Sequence, residues 1–173
     1  MFSDTAWNEK TIENMVRNFA YLLAGLHFYL LDENTGITHQ FYFEGGIKSL
    51  VEHLNRDKKV LTQPIFFKKN VDVAEIEISL QYNDSFSEVL QSFVNTVYTY
   101  DGGTHITGFR IALTRAINDY AKRIGATKDG DNALTGEDMR EGLTAVINVK
   151  MPTQVIQFES QTKAKLNNPE VQG

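Results

Sequence analysis

Gln161, Thr162 and Lys163 are the residues of this sequence best suited to chemistry on an anion. A lysine ammonium is a compact, mobile point charge that suits a phosphate, and backbone N–H groups at a helix start add fixed positive potential beside it. The tripeptide follows Phe158-Glu159-Ser160 and precedes Ala164-Lys165-Leu166, a stretch with the length of one helical turn. Taken alone, the three residues fit either a phosphate-contacting lysine or an ordinary surface lysine on a C-terminal turn. The sequence shows no phosphate-binding pocket around them.

Other constellations resolve against catalysis. Gly103 and Gly108 have the glycine spacing of a phosphate loop, but Phe109 stands where the loop needs its lysine. Asp129 and Asp131 resemble the start of a calcium loop, yet Ala133 occupies the third ligand position. His27, His39, His53 and His105 are scattered without an i, i+4 pair or a thiolate, so no metal site is expected, and His27 reads as a packed, satisfied histidine. No G-x-S-x-G serine elbow occurs. The chain has no self-contained active site.

Composition bounds the rest. With 173 residues, 42% of them hydrophobic and 11% aromatic, the chain buries on the order of 70% of its unfolded surface, enough for one domain or one domain plus an attached piece. A formal charge of -5 and a pI near 5.4 argue against binding nucleic acid through bulk positive charge and leave a local basic groove open. The absence of cysteine fits a reducing compartment. No signal-peptide pattern and no membrane-spanning apolar run occurs, so the reading is a soluble cytoplasmic protein without a membrane partner.

The elements that must position these residues follow an α+β order. Ile12, Met15, Val16, Phe19, Leu22, Leu23 and Leu26 recur at helical spacing from about Asn8, and Gly25 ends that helix. Leu26–Leu31 and Thr38–Phe43 form a hairpin through Asp32–Gly36, and Ile47, Leu50, Val51 and Leu54 mark a second helix. Pro64 starts the next element. Glu75–Tyr82 alternates as a strand with one wet face, Glu75, Glu77, Ser79 and Gln81, and Val89–Val97 is its expected hairpin partner. From Thr104 a long helix buries Phe109, Ala112, Leu113, Ala116, Ile117 and Tyr120 and stops at Gly125. Lys128–Asn132 is a loop, Thr135 and Asp138 form a capping box for a brief helix, and Thr144–Lys150 is a strand stopped by Pro152.

The order of motifs along the chain carries more than any one of them. Phe43–Lys48 (FEGGIK), Gln81–Asp84 (QYND), Asp101–His105 (DGGTH) with Gly108-Phe109-Arg110 and Ala112–Arg115 (ALTR), Gly136-Glu137-Asp138, Arg140–Ala145 (REGLTA) and finally Gln161-Thr162-Lys163 together resemble the B-subunit family of bacterial DNA gyrase, with the topoisomerase IV counterpart similar. The resemblance covers roughly the whole chain. It implies a ribosomal protein S-five domain-two-like transducer domain, a small mixed sheet covered by helices on one side, over residues 44–173. Residues 1–43 then read as the last helix and strands of a GHKL-type ATP-binding domain, so that the chain is a fragment.

The same resemblance implies roles. Lys163 becomes the catalytic phosphate sensor that reaches the ATP γ-phosphate, with Gln161 beside it, and Arg110 becomes a DNA-facing residue of a central cavity. Arg115 and Lys122, seven apart on the same helix, either add to that basic strip or are solvated helix charges. Gly45-Gly46 and Gly102-Gly103 read as structural. The full-length protein is expected to be an ATP-hydrolysing topoisomerase using ATP and magnesium, coupling hydrolysis to gate closure and strand passage. Its expected partners are its own ATP-binding domain, double-stranded DNA, a second copy of the B subunit, and the gyrase A subunit. A non-enzymatic binding module on the same fold is the alternative. Departures are a longer Thr153–Gln157 segment and Ser160 where glycine is common. The magnesium-holding asparagine helix and glycine-rich lid are missing, as are the acidic metal-binding domain and the cleavage tyrosine of the gyrase A subunit, so this chain alone is expected neither to bind ATP fully nor to hydrolyse it.

Overall fold

In the computed structural model, which describes residues 7–127 and 134–172, the amphipathic run after Asn8 is helix α1 (Glu9–Leu22). The Asn8 side chain accepts a hydrogen bond from Thr11 N at 3.0 Å and so satisfies one of the free donors of the first turn. β1 (Phe28–Leu31) and β2 (Thr38–Phe41) form the expected antiparallel hairpin. Asp32 organises its turn, accepting from Asn34 N at 2.9 Å and from Thr35 Oγ1 at 2.7 Å. Helix α2 (Ile47–Leu54) follows and buries Ile47, Leu50 and Val51.

β3 (Ile65–Val71), β4 (Ala74–Tyr82), β5 (Val89–Val94), β6 (Val97–Tyr98) and β7 (Leu143–Lys150) make one sheet in the order β3-β4-β7-β5-β6. All pairings are antiparallel except β5 with β7, which is parallel. The expectation that Val89–Val97 pairs with β4 is thereby corrected, because β7 lies between them. β7 has Ala145, Ile147 and Val149 on one face and Val146 on the other, which suits the centre of a sheet covered twice.

The side-chain directions set the layers. Ile78, Leu80, Ala145, Ile147 and Val149 face Ile106 and Phe109 of helix α3 (Thr104–Arg123), joined there by Leu166 and Val171. Phe93 and Val146 face the opposite way, under Tyr21 and Leu22 of α1 and Ile47, Leu50 and Val51 of α2. The one-sided helix cover expected of an S-five domain-two-like transducer is therefore wrong for this chain. With a period of two, β5 and β7 present apolar residues on both faces, and each face needs its own layer to leave water.

The face of β4 read as wet is corrected in the same way. Ser79 and Gln81 are buried, and Gln81 belongs to a polar cluster centred on Asn55. Asn55 Nδ2 donates to Gln81 Oε1 at 2.8 Å, while Asn55 Oδ1 accepts from Thr144 Oγ1 at 2.7 Å and from Asn83 Nδ2 at 3.2 Å. Buried amides are tolerated because each finds a partner. Only Glu75 and Glu77, at the other end of the strand, meet cations, pairing with Lys68 and Lys150 between 2.8 and 3.1 Å.

Helix α3 buries its first turns, at His105, Ile106, Gly108 and Phe109, but Ala112, Ala116 and Tyr120 are exposed and Leu113 and Ile117 only half-buried. The helix leaves the sheet as it runs on, opening an apolar cleft of about 310 Å³ whose walls include Phe67, Ile78 and Ala112. Thr135 and Asp138 do form the reciprocal capping box, with Thr135 N donating to Asp138 Oδ2 at 2.7 Å and Asp138 N to Thr135 Oγ1 at 3.3 Å. Residues 136–142 are turns, not the predicted helix.

Candidate functional site

The loop carrying Gln161, Thr162 and Lys163 is closed at its base by an antiparallel bridge between Phe158 and Leu166 and by Glu159 N donating to Lys165 O at 3.0 Å. The Ala164–Leu166 stretch is therefore not the helical turn its length suggests: the chain bends at Lys165, and Leu166 is bridged and drawn fully into the core. Burying that side chain contributes about 1.5 to 3 kcal/mol. At the tip the Ser160 and Thr162 hydroxyls lie 2.6 Å apart, and Lys163 N donates to Ser160 O at 3.0 Å. Lys163 takes the left-handed conformation, with φ 56°, which costs a non-glycine residue on the order of 1 kcal/mol and is held only by its surroundings.

All three tip residues are exposed. Lys165 pairs with Glu159 at 3.2 Å, whereas among the described residues Lys163 has no ion-pair partner. Its ammonium is free to meet an incoming anion. None of the principal cavities includes residues 161–163 in its walls, so an anion held here must be enclosed from elsewhere.

The other side of the loop is bolted to the start of α3. Asp101 N donates to Ala164 O at 3.0 Å, Leu166 N to Gly102 O at 3.0 Å, and Thr104 N to Leu166 O at 3.1 Å. Gly103, with φ 134°, makes this possible: a Cβ there would lie 2.2 Å from Leu166 O and 2.6 Å from Leu166 N. The backbones touch where a side chain would stand. Asn168, fully buried, clamps the next stretch by accepting from Gln157 N at 2.7 Å and donating to Val155 O at 2.8 Å. Asn168 does not stand out in the sequence; its place before Pro169 is the available signal, since Asn-Pro favours turns.

Arg110 lies on the second turn of α3 and is half-buried. Its Nη2 and Nε reach the two Glu88 oxygens at 2.7 and 3.3 Å, a bidentate fork, and Arg140 Nε approaches the same carboxylate at 3.6 Å. Neither Glu88 nor Arg140 is marked as a site residue by any local sequence pattern. Arg115 is exposed and only loosely paired with Asp119 at 3.8 Å, and Lys122 is exposed. At 100° per residue, Arg115 and Lys122 share a face some 20° apart while Arg110 points roughly 140° away from Arg115, so α3 does not merge the three into one strip.

The histidines divide by burial. His105 is buried, with Nε2 3.1 Å from Thr99 Oγ1, and desolvation lowers its pKa to about 4. His27, expected to be packed, is exposed and stacked on Tyr42 at 4.1 Å. Among the described residues no group of three His, Asp or Glu side chains converges to hold a metal ion; Asp129 and Asp131 fall outside those residues. No described helix is long and apolar enough to cross a membrane.

Set beside known proteins, the sequence model of the DNA gyrase B family matches residues 46–173. The DNA gyrase B subunit of Clostridium acetobutylicum is 47% identical over 175 residues, covering 100% of this chain and 27% of that protein. The DNA topoisomerase 4 B subunit of Bacillus subtilis is 44% identical over 170 residues, covering 98% of this chain and 26% of that protein. The chain thus spans about a quarter of the length of these curated relatives. Among solved structures, the 43K ATPase domain of Thermus thermophilus gyrase B, in complex with an aminocoumarin, superposes with a TM-score of 0.85 at 33% identity, over 99% of this chain and 46% of that one. The topoisomerase IV ATP-binding domain of Francisella tularensis, in complex with a small-molecule inhibitor, gives a TM-score of 0.81 at 26% identity, over 99% of this chain and 45% of that one. These neighbours are ATPase-domain and ATP-binding-domain structures, which overturns the fold class expected from sequence together with its one-sided cover.

Proposed function

The chain belongs to the DNA gyrase B family, and from that premise we propose that it is part of the ATPase region of a type IIA topoisomerase B subunit, whose Lys163 senses the terminal phosphate of ATP. The observation that carries the reading is the Gln161–Lys163 tip: an ammonium without a partner among the described residues, on a strained turn whose base is hydrogen-bonded to α3. Lys163 Nζ holds the phosphate by a charge-assisted hydrogen bond, and Gln161 orients it. ATP supplies the phosphoanhydride that is cleaved. The residues present fit one end of such a ligand, and the remaining nucleotide and magnesium contacts lie in the longer protein, with residues 1–43 closing the ATP-binding part and 44–173 carrying the sensor. Loss of the phosphate releases Lys163, and the displacement passes through Ala164 and Leu166 to α3 and Arg110, which faces DNA.

On this reading the full-length protein is cytoplasmic. It works as a dimer of B subunits joined to the gyrase A subunit or its topoisomerase IV counterpart, and it changes DNA topology at the expense of ATP. Relatives named for gyrase and for topoisomerase IV stand at 47% and 44% identity, so the proposal is made for the B-subunit class. The test is steady-state ATP hydrolysis by the full-length protein. Lys163→Ala removes a charge-assisted bond worth about 1.5 to 3 kcal/mol and should slow hydrolysis roughly 10- to 150-fold. Undiminished hydrolysis sinks the sensor role, and ATP turnover by the 173-residue chain alone, abolished by Lys163→Ala, contradicts the division of labour.

A further inference from the structure

We propose that Glu88 is an electrostatic latch: it withholds Arg110 and Arg140 from anions and yields them to the backbone phosphates of double-stranded DNA. The inference rests on the reading above that Arg110 faces DNA. Three separate parts of the chain meet at one carboxylate. Glu88 immediately precedes β5, Arg110 projects from α3, and Arg140 sits in the turn before β7. Arg110 grips both carboxylate oxygens, at 2.7 and 3.3 Å, and Arg140 Nε stands 3.6 Å from the oxygen that Arg110 Nη2 holds. A planar guanidinium binds phosphate and carboxylate in the same forked geometry, so the carboxylate occupies the place a phosphate would take.

The surroundings make the latch selective. The shallow depression at Arg140 is lined by Glu88, Glu137, Asp138 and Glu141 along with the exposed Phe86. These carboxylates outnumber the two guanidiniums and repel a lone anion. One phosphate displacing Glu88 merely exchanges one anion for another. A duplex presents a charge about every 1.7 Å along its axis, so two phosphates can engage both arginines together and outcompete one carboxylate. Arg110, with 41% of its side chain exposed, and Arg140, with 27%, are both reachable for that exchange.

The test uses the full-length protein and a linear duplex of fixed length, reading the DNA concentration that half-stimulates ATP hydrolysis at several salt concentrations, with thermal unfolding as a check on fold. Glu88→Gln should lower that concentration on the order of tenfold. It should also steepen the salt dependence by at most about one in the log–log slope, because removing the Glu88 charge leaves one more net positive charge against the phosphates, near 0.9 per phosphate neutralised. In an Arg110→Gln/Arg140→Gln background the same substitution should do nothing. Glu88→Asp, which keeps the charge one methylene further back, should fall between and replaces the glutamine variant if that one unfolds. A normal or weakened DNA response in folded Glu88→Gln or Glu88→Asp, while Arg110→Gln weakens the response, overturns the latch and leaves the DNA-facing role standing. An unchanged response in Arg110→Gln removes that role and the latch with it.

Discussion

Replacing Gly103 with alanine puts the connection between the lysine loop and α3 to a direct test. The added Cβ would lie 2.2 Å from Leu166 O, 2.6 Å from Leu166 N and 2.9 Å from Leu166 C, all backbone atoms that cannot rotate aside. Restoring ordinary contact requires roughly 1.2 Å of separation, taking a normal carbon contact distance of about 3.4 Å or more. That opening breaks two bonds of the seam, Leu166 N to Gly102 O and Thr104 N to Leu166 O, at about 0.5 to 1.5 kcal/mol each. Forcing a side chain into φ 134° adds about 1 to 3 kcal/mol. The sum is a destabilisation of about 2 to 6 kcal/mol, read as the shift of the urea midpoint at unchanged m-value. Gly25→Ala is the control: its φ is 85° but no atom lies within 4 Å of the new Cβ, so it carries only the backbone cost. If Gly103→Ala costs no more than Gly25→Ala, the loop and α3 are not held by backbone contact, and the proposed route from Lys163 to Arg110 loses its physical basis.

Two further outcomes follow from the same geometry. Asn168→Ala leaves Gln157 N and Val155 O without their buried partner and should cost about 1 to 3 kcal/mol in urea unfolding, with faster proteolysis at 155–167 as the local signature; wild-type stability would mean that water serves these groups equally well. His105 has a folded pKa of about 4 against 6.5 for the free side chain, so the unfolded chain takes up a proton first as pH falls. Stability contributed by the neutral ring is full above about pH 6.5 and is lost between there and about pH 4. The loss is about 2 kcal/mol at pH 5 relative to pH 7, and it should vanish from the stability–pH profile of His105→Gln.

What the sequence makes legible follows the range of each interaction. α1, the β1–β2 hairpin, α2 and the long α3 are set by neighbours within a few residues, and apolar spacing with Asn8, Asp32 and Gly125 places their ends within a residue or two. The partner of β5 depends on Thr144 meeting Val89, and no local pattern carries such a pairing. The two-sided cover is legible in β7, where Val146 interrupts what a one-faced strand would leave polar. At the site, exposure of Gln161 and Lys163 accords with their polarity. The left-handed backbone of Lys163 is imposed by the Phe158–Leu166 bridge, and the Glu88 fork by three segments that meet only in space.

The central place of β7 has a consequence for how the chain is made. The strand that joins β4 to β5 is the last of the sheet to leave the ribosome, and its register ties Glu75 to Lys150 and Tyr82 to Leu143. Until residue 150 emerges, the inner edges of β4 and β5 stay open to other strands, and the covering residues of both helical layers have no finished sheet to rest on. Assembly is therefore held back to the end of this segment's synthesis, and a nascent chain stalled before residue 143 would present two sticky edges in place of a domain.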